Sequence, residues 1–267
     1  MNTPSMHGRA RRRTERGLAL VCALLLMAAA MVIGVAVVRG AFVLLAAAGN
    51  ERDRDIAQAA AEAALRDAEN DIAGRAATSA PPASPDRAAH FGPGGATAFV
   101  DGCGRGVDDR GLCRARSPPE WQLLDLAAAD NPALVPYGQF TGAVLAVGRG
   151  VLPARLPAYL IERITPPGAT AQQGVFYRIT AIGFGARAAT QVVLQSLYRL
   201  PPPSGGGPGD GNGNGNDNDH GEPHDNGHGN GNGNGTPGRP QAHQLPAGRI
   251  GWREIANWFE LHARARP

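Results

Sequence analysis

The chain has 267 residues, enough for one modest domain with appendages. All 26 of its basic residues are arginine, and the formal net charge of +3 is too small and too scattered to point to nucleic acid. Gly and Pro are abundant (37 and 22), but they concentrate in particular stretches, so the average composition hides the organisation.

The first segment, 1–17, holds the densest basic group: Arg9, Arg11, Arg12, Arg13 and Arg16. Leu18–Val38 follows directly and contains neither charge nor proline. It just exceeds the roughly 20 residues that cross a bilayer core as a helix. Basic residues beside such a run stay on the cytoplasmic side, so everything beyond Arg39 is expected to face the periplasm or the exterior. A cleaved secretory signal has an apolar region of only about 7–15 residues and ends in a break. Here helix-forming sequence continues, so the span is expected to be retained. Cys22 inside it reads as a small apolar membrane residue.

Glu51–Ile72 carries no Gly or Pro and consists mostly of strong helix formers. Ile56, Ala60, Ala63, Ala64 and Ala68 recur near helical spacing and give a narrow face of small side chains. Glu62 and Arg66 stand at i,i+4 in the favourable order. One helix is expected over 18–72, with Gly40 and Gly49 as soft points, and a length of ~80 Å at about 1.5 Å per residue. A rod of this kind, with a membrane start and a small-residue face, is suited to packing against equivalent helices.

The region 73–200 is expected to be an α+β head outside the membrane. Cys103 and Cys113 lie in this exported part, where an oxidising compartment favours a disulfide, two free thiols being the alternative. A zinc site is disfavoured because no His or further Cys stands near to complete four ligands. Trp121–Ala129 reads equally as strand or short helix. Ala158–Ile164, Val175–Ile182 and Gln191–Leu200 read as strands joined by short Gly- and Pro-containing connections, which predicts an antiparallel meander covered by the exported half of the long helix.

The segment 201–247 is dominated by Gly, Asn and Pro and has too few apolar residues to offset the entropy of ordering, so it reads as a flexible insertion. Order is expected to resume over 248–267. Trp252, Ile255 and Phe259 share a face if this segment is helical, and a terminal strand beginning at Gly248 is the alternative.

Several patterns bear on chemistry. Gly183-Phe-Gly185-Ala-Arg-Ala matches a dinucleotide-binding turn in form, but that turn must open a helix, and the sequence after it is strand-like. Asp210, Asn212, Asn214 and Gly215 resemble the start of a calcium loop, but position 12 is Gly221, with Glu222 one residue late. His220, His224 and His228 recur at four-residue spacing in sequence too Gly-rich for a helix. Asp101, Asp108 and Asp109 form a small acidic loop. Neither a zinc-hydrolase nor a serine-hydrolase signature is present. No catalytic residue, metal site or cofactor is assigned.

Taken together, the basic leader ending in Gly17 and followed at once by an apolar helix resembles a type IV prepilin signal. The resemblance implies cleavage by a membrane prepilin peptidase between Gly17 and Leu18 and methylation of the new N-terminus. Ala48–Glu69, Tyr177–Thr180, Gly183–Gly185, Val192–Tyr198 and Gly248–Ile255 resemble the PilX-type minor pilins, whereas the central portion carries no motif of that family. The family implies an α+β pilin fold, a long N-terminal helix packed on a C-terminal antiparallel sheet, and a non-enzymatic part in type IV pilus assembly. The implied partners are other minor pilins, the major pilin and the inner-membrane assembly machinery. The implied location is the inner membrane, N-terminus cytoplasmic and head periplasmic, and then the extracellular pilus. One departure stands out. Most pilins carry Glu at the fifth mature residue, and here that position is Cys22, which fits an initiating or tip-proximal subunit. The alternative is an anchored surface adhesin, or metal-dependent binding module, that uses the same head and the Gly/Asn insertion.

Overall fold

A computed structural model of the chain describes residues 15–77, 86–202 and 246–265. It divides into two units, residues 1–55 and 56–267. A single helical element, α1 (Glu15–Ile72), supplies the described part of the first and opens the second. Gly34, Gly40 and Gly49 all fall within α1, so none of them breaks it.

In the first unit the apolar run has a mean hydropathy of 2.9 and none of it is buried. Leu18, Leu24, Met27, Val32 and Phe42 are all well exposed. A helix that is apolar all round satisfies its backbone internally and needs an apolar surrounding for its side chains. None of the described residues provides one along this stretch.

In the second unit, α1 buries Ala57, Ala61, Ala64, Leu65, Ala68 and Ile72. The expected face is therefore rotated slightly: Ile56 and Ala63 lie at its margins, only half-buried. In a segment this rich in alanine, periodicity places the stripe only approximately. Glu62 does not turn to Arg66 but reaches Arg249 across the fold.

The helix packs on a mixed sheet of six strands. They are β1 (Leu112–Arg114), β2 (Val135–Pro136), β3 (Ala158–Ile164), β4 (Val175–Phe184), β5 (Gln191–Leu200) and β6 (Gly248–Glu254). The order is β1-β3-β4-β5-β6, with β2 on β3. The predicted meander is present as β3-β4-β5, and β6 continues it antiparallel. Strand β1 adds a parallel pairing with β3 ahead of this antiparallel part, so the sheet as a whole is mixed. A three-residue strand in the centre of the chain has too little pattern to be read in advance. The Gly183–Gly185 stretch closes the β4–β5 hairpin, with Gly185 N donating to Thr190 O, and opens no helix.

Strand alternation sends Val175, Tyr177, Ile179 and Ala181 toward α1, with Leu194 and Tyr198 beside them. The opposite face contributes Leu160, Ile182, Phe184 and Val193 to a second core. That core is closed by Trp121 of α2 (Glu120–Leu123), by the Cys103–Cys113 pair, and by Ile255 and Trp258. Trp121–Ala129 thus supplies one helical turn followed by loop. The C-terminal segment follows the alternative reading: β6 comes first, and helix α3 starts only at Trp258 and runs to Ala265. Trp252 consequently points to solvent rather than sharing a buried face with Ile255.

Closest to the helix lies Gly183. A Cβ there would overlap the Ala57 carbonyl oxygen and the Ala61 amide nitrogen. Backbone cannot yield as a flexible side chain does, so Gly183→Val is expected to push helix and sheet apart and cost about 3 kcal/mol. Denaturant titration of the purified chain, following the tryptophans of the head, measures this.

Candidate functional site

The last four turns of α1 carry acids beside the alanine face, and these acids reach three different parts of the head. Asp67 accepts hydrogen bonds from Gly138 N at 2.7 Å and from the Thr141 hydroxyl. One turn on, Asp71 accepts from Arg87 Nη2 at 2.7 Å and Nε at 3.1 Å, and from the Tyr159 hydroxyl at 3.0 Å. Glu69 and Glu62 receive Arg249 of β6, at 2.6 and 3.3 Å.

Arg87 ties these parts together. Its Nη1 donates to the carbonyls of Asp108 and Arg110, at 2.7 and 2.8 Å, and its guanidinium lies 3.9 Å from the centroid of the Phe140 ring. Its side chain is 3% exposed and that of Asp71 is 1% exposed, so the ion pair is removed from water. One planar group with donors on three nitrogens therefore fixes the helix to the loop that the disulfide closes.

That loop is held twice more. Cys103 and Cys113 are disulfide-bonded, as the sequence predicts. The Glu120 carboxylate accepts from Gly102 N at 2.9 Å, and the Glu120 amide donates to Glu162 at 3.0 Å. Glu162, fully buried on β3, also takes Arg178 Nε and Nη2 at 2.6 and 2.9 Å. Each of these buried carboxylates thus has the hydrogen-bond donors that burial demands.

Burial pushes the Asp67 carboxyl above its ordinary range, and the neighbouring charge of Asp71 adds to this, against the opposing hydrogen bonds from Thr141 and Gly138. Burial also holds the Tyr159 hydroxyl well above the usual phenol range, reinforced by Asp71 and Asp67. For Arg249 burial alone acts downward, but the bonds and charges of Glu69 and Glu62 outweigh it and raise the group.

The residues singled out in the sequence fall as follows. Gly17 and Leu18 both lie within α1, with Leu18 exposed, and Cys22 is an exposed free cysteine. Asp101 lies on the surface near Arg114, and Asp109 accepts from Gly106 N. Among the described residues, no group of three His, Cys, Asp or Glu side chains is placed to hold a metal ion. Asp210, Asn212, Asn214, His220, His224 and His228 lie outside the described residues. The buried set Asp67, Asp71, Arg87, Glu120 and Glu162 was not anticipated. Its one sequence signal is Asp67 and Asp71 at i,i+4, adjoining Ala64 and Ala68 on the face that was expected to pack.

Two family models match. Residues 16–66 match the one described as PilX N-terminal, and residues 101–200 match the one described as Type IV pilus assembly protein PilX C-term. Together they cover more than half of the chain. The second begins at Asp101 and so takes in the disulfide loop and β1, the central portion in which the sequence displayed no motif of its own. Gly248–Ile255 lies beyond both matched ranges. No curated protein and no solved structure matches the chain at significant similarity.

Arg87→Ala leaves the Asp71 carboxylate buried without its cation and is expected to cost about 3–5 kcal/mol in a denaturant titration. For Asp67, a folded-state pKa above the unfolded one means that its contribution is full below the unfolded value and is lost as pH rises through the folded one. The destabilisation caused by Asp67→Asn should therefore be smaller at pH 7 than at pH 4, as paired titrations at the two pH values would record.

Proposed function

The chain belongs to the PilX family of type IV pilus assembly proteins, and we propose that it acts as an initiating or tip-proximal minor pilin, processed between Gly17 and Leu18. A structural place in the pilus follows from the family. The more specific position rests on the chemistry of the first mature residues.

In the proposed form, cleavage leaves Leu18 as a methylated N-terminus and the apolar helix intact behind it. The Arg cluster of residues 9–16 holds the leader on the cytoplasmic side, and the head, with its disulfide, folds in the oxidising periplasm. The apolar surface of 18–45, bare in the chain alone, is covered first by lipid and later by the helices of neighbouring pilins. Both surroundings are apolar, so transfer between them requires no change in the segment's chemistry.

The observation that carries the position is Cys22. A carboxylate at the fifth mature residue would neutralise the terminal amine of an adjoining subunit within an apolar environment, where an unpaired charge is costly. A thiol cannot. A subunit that lacks the carboxylate suits the one end of the filament where the pairing is not required, and it is unsuited to the repeating shaft. The saturated carboxylates of the head support a structural rather than catalytic role.

Mass spectrometry of the chain recovered from piliated cells tests the processing. The expected product begins at methylated Leu18; an intact Met1 in assembled pili overturns the reading. Gly17→Leu is expected to block cleavage and keep the chain in the membrane fraction. In cells depleted of the chromosomal copy, Cys22→Glu should leave the amount of the chain in sheared pili within about threefold of wild type if the chain starts the filament. A rise of about tenfold or more, to shaft-like abundance, would show that only the missing carboxylate kept it at the end.

A further inference from the structure

Strand β6 is the outermost strand of the sheet, and among the described residues nothing pairs with its far side. Ile255 N donates to Val193 O at 2.9 Å, and Arg253 and Gly251 stand opposite Gln195 and Leu197. Alternation along an antiparallel ladder then turns the N–H and C=O of Trp252 away from β5. An edge strand of this length is usually blunted by proline, lysine or a covering element. Here Gly248–Glu254 contains no Pro, and its two arginines are drawn back onto the fold, Arg249 to Glu69 and Arg253 to Gln195.

The side chains along this edge are those of a contact surface. Trp252 is 53% exposed, with Ile250 and Leu197 about two-fifths exposed. Large aromatics left in solvent next to arginine are the commonest anchors of protein interfaces. A groove of about 400 Å³ is lined by Arg178, Gln195, Leu197, Gly251, Trp252 and Arg253. Arg253 gives Nη2 to Gln195 Oε1 and is otherwise exposed. Gln195 and Ser196 are buried in the groove, Leu197 and Trp252 give it exposed apolar surface, and Arg253 adds a positive charge.

We propose that the free edge of β6 receives an extended acidic strand from another pilus subunit, which continues the sheet beyond Trp252 and places a carboxylate near Arg253 and an apolar side chain in the groove. This deepens the assembly reading and rests on it. Two β6 strands paired antiparallel about Gly251 or about Arg253 would set arginine opposite arginine, a destabilising like-charge pair, so those registers are closed to a second copy of this chain. An acidic strand has the opposite effect, and its main chain supplies the acceptor and donor that Trp252 offers.

The test uses the full-length chain, purified alone and purified with the minor and major pilins of its own system, with backbone hydrogen exchange read at Trp252. The proposal expects fast exchange in the chain alone and at least about tenfold slowing in the complex. Trp252→Pro removes the outward N–H without touching the β5 ladder. It should cut recovery of the other pilins at least about tenfold, through loss of one main-chain hydrogen bond together with the indole anchor, while the denaturation midpoint of the chain alone stays unchanged. If that variant does not fold, Arg253→Glu should reduce recovery severalfold through charge alone. Slow exchange already present in the chain alone means that the edge is covered by its own residues 203–245 or by a second copy, and overturns the proposal. So does a complex in which Trp252 exchanges as fast as in the free chain, and that result leaves the assembly reading intact. Failure of the wild-type chain to recover any pilin overturns both.

Discussion

Helix α1 reaches the sheet of the head through a contact without side-chain volume on the sheet's side. At Gly183 the Ala57 carbonyl and the Ala61 amide occupy the space where any other residue would carry a Cβ. Alanines continue the contact at 64 and 68, so helix and strand backbones lie closer than leucine or valine would permit. Larger apolar groups fill the rest of the interface, Leu65 and Ile72 from α1 with Ile179, Leu194 and Tyr198 from the sheet, and polar residues hold its flanks.

Those flanks are ionic and almost entirely saturated. Asp67 and Asp71 on one side meet Thr141, Gly138, Tyr159 and Arg87, and Glu62 and Glu69 on the other meet Arg249. A buried ion pair gives little net stability over an apolar substitute, but its loss by halves is costly, which makes it a device for fixing one arrangement. Arg87 joins three segments distant in sequence, and the Glu120–Glu162–Arg178 chain does the same on the opposite face of the sheet. The disulfide then closes the loop whose carbonyls Arg87 holds. A close helix–strand contact at Gly183 and polar groups with their partners in place together fix the geometry of the head.

The two units follow opposite rules. In the head, carboxylates are neutralised internally and the core is covered. Along 18–45, none of the described residues covers the apolar surface. An apolar surface of this length is suited to an apolar surrounding, in keeping with a family of pilus assembly proteins.

Much of this was legible in order of residues. The apolar run, the charged helix beyond it, the boundaries of β3 and β5 and the pairing of the two exported cysteines all depend on local composition or on partners close in sequence, which is the kind of information a linear pattern carries. Strand β4 ran two residues past its expected end because Gly183 was read as a turn residue, when its function is to admit a helix lying more than a hundred residues earlier. Strand β1 was missed because three residues have no period, and the C-terminal segment stayed ambiguous because Trp252 and Ile255 fit either period until β5 is there to pair with. The sequence by itself determined that this protein has a membrane-compatible helix, a strand-rich head and no recognisable catalytic motif, since hydropathy and propensity are properties of neighbours along the chain. Only the tertiary structure decided which acids are buried, that Arg87 is the residue joining them, and that β6 is left as an edge, because each of those depends on distances between residues far apart in the chain.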